Sequence, residues 1–163
     1  MTHGPDDPQL HAWSALVAVY QSVLHDVVQA LEGEAGLDSG VFSALAYLAR
    51  AEPVGRLPLS ALHDLMHPRY SQPGLSRLVQ RMEADGLVER RTDPHDGRAA
   101  VLVMTRAGRS RFNRADAVYA GAVREHFGRH LSGAQARALE AALTPVARGR
   151  AIQGAESRTV RSG

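Results

Sequence analysis

Apolar positions near the start of the chain recur at steps of three and four. Leu10, Trp13, Leu16, Val17, Tyr20, Leu24, Val27, Val28 and Leu31 form one series, the signature of an amphipathic helix. Gly33 and Gly36 end it. Asp38 or Ser39 can cap a second helix with the apolar face Val41, Phe42, Leu45, Leu48 and Ala49, closed by Pro53 and Gly55. A third, short helix is predicted over Leu59 to Met66 and is stopped by Pro68. Ser71 then suits an N-cap, because its hydroxyl can accept a backbone N–H left free in the first turn. Pro73 falls in that turn, where a missing N–H costs nothing. Leu75, Leu78, Val79 and Met82 make one stripe, and Gly86 lies just past its end.

The period then changes. Leu87 to Arg91 reads as a short strand, and Asp93-Pro94-His95-Asp96-Gly97 is dense in turn formers. Arg98 to Met104 is β-branched and apolar enough to return as a second strand, which makes a hairpin. Thr105 can cap a long helix carrying Phe112, Ala115, Val118, Tyr119, Ala122, Val123 and Phe127, broken by Gly128. Ser132 can cap a last helix with Ala136, Leu139, Leu143 and Val146. The predicted fold is mainly α with a small β-hairpin wing: a winged helix-turn-helix core between N- and C-terminal helices. The expected boundaries are 1–36 for the first helix, 37–108 for the winged lobe and 109–148 for the C-terminal helices. A flexible, Arg-, Gly- and Ser-rich tail follows over 149–163. The two amphipathic ends offer more apolar face than a monomer of this size would hide, so self-association is expected.

Composition narrows the function. At 44% hydrophobic and 22% charged residues the chain can bury a core, and with only 5% aromatics that core must rest on Leu, Val and Ala. The absence of cysteine excludes disulfides, thiolate zinc sites and thiol redox switches. The start, MTHGPDDPQ, has neither a basic nor an apolar signal region, and the apolar run Ala15 to Tyr20 is too short to cross a bilayer. A cytoplasmic protein is expected, without membrane contact. The net charge of +2 hides an asymmetry. Two arginines against eight acids precede Arg69, whereas seventeen arginines against nine acids run from Arg69 onward. That split suits a local polyanion-binding surface, although a solvated surface with chance asymmetry reads equally well on charge alone.

The stretch Leu59 to Met104 decides between these. In a helix-turn-helix one helix braces while the next presents its N-terminal residues to base edges. The second helix here offers Ser71, Gln72, Gly74, Ser76, Arg77, Gln80 and Arg81 away from its apolar stripe. Ser and Gln donate and accept, Arg can pair bidentately with guanine, and free N–H groups at the helix start favour phosphate. Arg90, Arg91 and Arg98 make the hairpin a basic wing able to hold phosphate or enter a minor groove.

At this point the sequence closely resembles the MarR family of bacterial winged helix-turn-helix regulators. The resemblance runs through LSRLVQRMEADGLVERRTDPHDGRAAVLVMTRAGR, Leu75 to Arg109. It comprises the recognition helix, the Gly-Leu-Val step at Gly86 to Val88, the Asp-x-Arg wing tip at Asp96 and Arg98, and a Leu-Thr-x-x-Gly motif. In that last motif Met104 stands for the usual Leu, and Thr105 and Gly108 match. The resemblance implies a homodimer joined through its first and last helices. It further implies binding to a pseudo-palindromic operator on double-stranded DNA, repressor action, and release by a small ligand such as an aromatic acid. Arg98 matches the wing arginine of the minor groove, and Asp96 the acid that orients it. One departure concerns the turn Met66 to Ser71, which is longer than the usual family turn. Within it Arg69 can add a phosphate contact, and Tyr70 is expected to pack.

The remaining chemistry is weaker. His63 and His67 have the i, i+4 spacing of a metal face, but no third ligand stands at helical spacing, and two surface histidines are expected, with no metal. His126 and His130 repeat the spacing across Gly128. No nucleophile elbow, P-loop, dinucleotide turn or zincin motif is present, so neither an enzyme nor a cofactor is expected. Trp13, Tyr20 and Tyr47 lie on the apolar stripes of the first two helices. They read as core and seam residues, and the resemblance also allows them to line an effector pocket. The alternative function is a winged helix that binds protein instead of DNA, which would not need an Arg-rich wing.

Overall fold

The computed structural model describes residues 7–92 and 100–159, with side chains described over 7–92 and 100–147. Among the described residues the six helices and the hairpin follow the expected order, with one further strand, β1, between the second and third helices: α1 (Pro8–Gly33), α2 (Ser39–Arg50), β1 (Arg56–Pro58), α3 (Leu59–Met66), α4 (Gln72–Ala84), β2 (Val88–Thr92), β3 (Ala100–Met104), α5 (Arg106–His126) and α6 (Gly133–Thr159). The predicted caps hold. Asp38 accepts from the N–H groups of Gly40 and Val41 at 2.9 and 3.1 Å, and Ser71 from Gly74 at 3.3 Å. Ser132 and Gln135 satisfy each other's backbone N–H in a reciprocal capping box.

The hairpin expected from the sequence is a three-stranded antiparallel sheet, ordered β1-β3-β2. β1 adds Arg56, Leu57 and Pro58 opposite Val103, Leu102 and Val101. Three residues ending in proline give too short a run for period-two alternation, and proline is tolerated there because β1 is an edge strand. β2 also begins one residue later than expected. Gly86 has φ +67° and the Leu87 N–H returns to the Met82 carbonyl at 2.9 Å, so Leu87 still belongs to the close of α4.

The contacts divide the chain between Ala122 and Val123. Residues up to Ala122 surround a core of Leu31, Leu45, Leu48, Leu62, Val79, Met82 and Leu102, all essentially inaccessible to solvent. α2 runs through its centre, burying seven of its twelve residues. The boundary expected at residue 108 therefore falls inside this unit, because Phe112 and Ala115 of α5 are buried as well. The second unit holds the end of α5, a short 3-10 turn (Gly128–His130) and α6. No described side chain of α6 is buried. Its backbone remains helical to Thr159, past the tail expected from Gly149, in a stretch rich in good helix formers such as Ala151, Gln153, Ala155 and Glu156.

Candidate nucleic-acid interface

α4 separates its two faces as the sequence requires. Leu75, Leu78, Val79 and Met82 are buried. Gln72, Ser76, Arg77 and Gln80 are exposed on the other side. Gly74 has a different task from its neighbours. A Cβ there would stand 3.2 Å from the Ser71 hydroxyl oxygen, so glycine leaves room for the cap. Arg81 is exposed but turned towards α2, where it donates to Asp38 at 3.1 Å. The carboxylate that caps α2 thus also fixes the far half of α4. Arg77 has no ion-pair partner among the described residues.

The long turn before α4 also leans on α2. Arg69 donates from Nη2 to the Ser39 hydroxyl at 3.2 Å. Tyr70 packs, as expected, but its ring lies against Gly40 so closely that any side chain at residue 40 would collide with its hydroxyl. Asp38, Ser39 and Gly40 together hold both ends of the recognition unit.

On the wing, Arg90 pairs with Glu83 at 3.3 Å and Arg91 with Glu89 at 2.7 Å. Both arginines are exposed. Asp96 and Arg98 lie outside the described residues. The base of the wing is clasped by the Thr-x-x-Gly motif. The Thr105 hydroxyl donates to the Gly86 carbonyl at 2.7 Å and accepts from the Gly108 N–H at 2.9 Å. The Thr105 N–H bonds the Leu87 carbonyl at 3.1 Å. Gly108 is obligatory at this close approach, because a Cβ would run into the Leu87 carbonyl.

Behind α4, a cleft of about 270 Å³ runs along one stripe of α2: Ser39, Phe42, Ser43, Ala46, Tyr47 and Arg50. Leu24, Val27, Val28 and Leu31 of α1 wall it, with Tyr119 of α5 stacked on Phe42 at 5.1 Å. Arg69 joins the lining, beside Ser39 at the start of α2. Tyr47 is therefore placed as the sequence suggested. Trp13 and Tyr20 are not: they lie towards the start of α1, 64% and 60% exposed, away from this lining. The i, i+3, i+4 spacing from Ser39 to Arg50 was readable as a stripe. That Arg69 meets it from a turn thirty residues later was not. His63 and His67 of α3 have ring centroids 6.1 Å apart, and among the described residues no three metal-ligating side chains come together.

The comparisons agree with this geometry. The family model for MarR matches residues 35–99, from the α1–α2 turn past β2 and ending before β3. The matched residues hold α2, β1, α3, α4 and β2. Among solved structures, the chain is similar to AbsC, a MarR family transcriptional regulator from Streptomyces coelicolor. The TM-score is 0.77 at 27% identity, covering 91% of this chain and 97% of that one. A second Streptomyces coelicolor MarR family regulator, solved in complex with DNA, gives 0.76 at 24%, covering 90% and 93%. Bordetella bronchiseptica BpsR, whose DNA binding is regulated by 6-hydroxynicotinic acid, gives 0.68 at 19%, covering 90% and 97%. No curated protein sequence matches the chain significantly. Among the described residues no helix is long and apolar enough to cross a membrane. The matched span includes the cap at Ser71 and the buried stripe of α4, whereas Thr105 and Gly108 of the clasp lie beyond it.

Proposed function

We propose that the protein is a cytoplasmic, homodimeric, sequence-specific DNA-binding transcriptional repressor that works without catalysis. One observation carries the reading. α4 buries four apolar residues and leaves Gln72, Ser76, Arg77 and Gln80 exposed beside a basic wing, within a MarR-family winged helix. α4 enters the major groove, Gln and Arg read base edges, and the wing, with Arg98 at its tip, holds the neighbouring minor groove. Ser71 and the first N–H groups of α4 face phosphate.

Dimerisation is supported by α1, which exposes Leu10, Trp13, Leu16, Val19 and Tyr20 along its first half. An apolar stripe of this size on a monomer marks an interaction surface. Two-fold symmetry then sets the recognition helices about 34 Å apart, one turn of DNA, on a pseudo-palindromic operator. An acidic effector is supported by the apolar cleft with Arg50 and Arg69 at its margins, and by the regulation of BpsR by an aromatic acid.

The test is a gel-shift titration of the full chain against the DNA upstream of its own gene, with unrelated DNA as competitor. A shifted complex at nanomolar protein, resistant to a hundredfold excess of competitor, is expected. Equal affinity for both DNAs refutes specific recognition. Sedimentation as a monomer at micromolar concentration refutes the dimer.

A further inference from the structure

We infer that Arg69 is a shared cation: it holds operator phosphate when the cleft is empty and the carboxylate of an acid when the cleft is filled. The inference rests on the effector reading above and adds the residue through which the two sites communicate. Three observations meet at this side chain. It stands two residues before Ser71, the cap of the recognition helix, so it lies at the helix end that faces phosphate in the proposed complex. Its guanidinium reaches back to the Ser39 hydroxyl. It also lines the cleft, at the Ser39 end of the α2 stripe.

The chemistry of the contact favours exchange. Ser39 is a neutral partner at 3.2 Å on an exposed side chain, so the present bond is weak and easily replaced. A carboxylate or a phosphate makes a charge-assisted, bidentate pair with the same guanidinium, stronger than the serine contact. The other arginine of the lining, Arg50, stands at the far end of the α2 stripe from Ser39, and Arg81 is not part of the lining. A carboxylate beside Ser39 holds the guanidinium against α2, whereas a phosphate on DNA must draw it outward, so the two anions compete for one side-chain position. Filling either site therefore weakens the other by the same factor. The cleft volume, near the low end for ligand pockets, suits a one-ring acid. Its ring would lie between the α1 wall and Tyr47, with the carboxylate at Arg69.

The experiment uses the full-length protein, its upstream DNA and sodium salicylate as probe. Operator affinity is read by fluorescence anisotropy across a salt series, with and without salicylate, and salicylate binding by calorimetry. In wild type, saturating salicylate should lower operator affinity by a factor within the usual allosteric range of about 5–150. In Arg69→Gln, operator affinity should no longer respond to salicylate. Its plot of log affinity against log salt should also be shallower by about 0.9, the loss of one phosphate contact. Arg69→Lys should restore the slope, which a purely structural role would not do. If Arg69→Gln keeps the wild-type salt slope, or still releases DNA on adding salicylate, the inference is overturned while the effector reading stands. If wild type binds the operator but no salicylate registers in calorimetry or anisotropy, effector reading and inference fall together.

Discussion

Replacing Asp38 tests the packing argument most directly, because one carboxylate does two separable things. It caps α2 by accepting from Gly40 and Val41, and it accepts from Arg81 on α4. Loss of an N-cap costs about 1 kcal/mol, within a range of about 0.5–2. The ion pair adds little, about 0.2–1 kcal/mol, because its side chains are 53% and 47% exposed and solvent screens them. Asp38→Ala should therefore destabilise the fold by about 1–2 kcal/mol. For a chain of this length that lowers the melting temperature by roughly 3–6 °C. Asparagine caps as well as aspartate, so Asp38→Asn keeps the first effect and loses only the second. Its melting point should fall by no more than about 3 °C. The assay is thermal unfolding followed by circular dichroism at fixed protein concentration, since the proposed dimerisation would make the midpoint concentration-dependent. If Asp38→Asn is as destabilised as Asp38→Ala, the ion pair and not the cap dominates, and the reasoning is wrong.

Other substitutions separate reading from holding. Arg77→Ala should relax preference at particular base pairs, at about 1–3 kcal/mol for a bidentate contact, measured by affinity for operators substituted one base pair at a time. Gly108→Ala should cost about 1–3 kcal/mol or more by driving a methyl group into the Leu87 carbonyl; a melting point equal to wild type would show that the clasp can yield. Glu89→Gln should free Arg91 from its 2.7 Å partner and tighten DNA binding on any sequence, with a steeper salt dependence; unchanged affinity would place Arg91 away from phosphate.

What the sequence reveals here depends on how local the controlling interaction is. Asp38, Ser71, Thr105 and Ser132 cap helices within three residues of themselves, so their roles follow from spacing alone. The buried stripe of α4 follows from a 3.6-residue period. β1 escaped because its evidence lies in its partner: only pairing with Val101 to Val103 makes a strand of Arg56 to Pro58. The candidate site divides in the same way. Gln72, Ser76, Arg77 and Gln80 fall on the exposed face that helical periodicity demands. The Arg81–Asp38 and Arg69–Ser39 contacts span forty-three and thirty residues, and no spacing rule reaches that far. Trp13 and Tyr20 share the helical phase of the α1 residues that pack, but they lie beyond the reach of α2. Periodicity identifies the face of a helix and says nothing about how far along it the neighbour extends.

These long-range pairs sort the arginines that composition alone lumps together. Arg81, Arg90 and Arg91 each face an acid of the chain itself, at 3.1, 3.3 and 2.7 Å. A phosphate must compete with that acid for each of them, so their contribution to binding is a difference between two charged contacts. Such exposed pairs add little to stability, which leaves the arginines exchangeable. Held in place before DNA arrives, they also lose less side-chain freedom when they meet it. Arg77 carries no such restraint among the described residues, and it stands on the face of α4 opposite the buried stripe. A base edge offers a fixed donor and acceptor pattern that an unpaired guanidinium can meet without first giving up a carboxylate. In the proposed complex, arginines already paired with acids suit the uniform backbone, and Arg77, with Gln72, Ser76 and Gln80, suits the sequence.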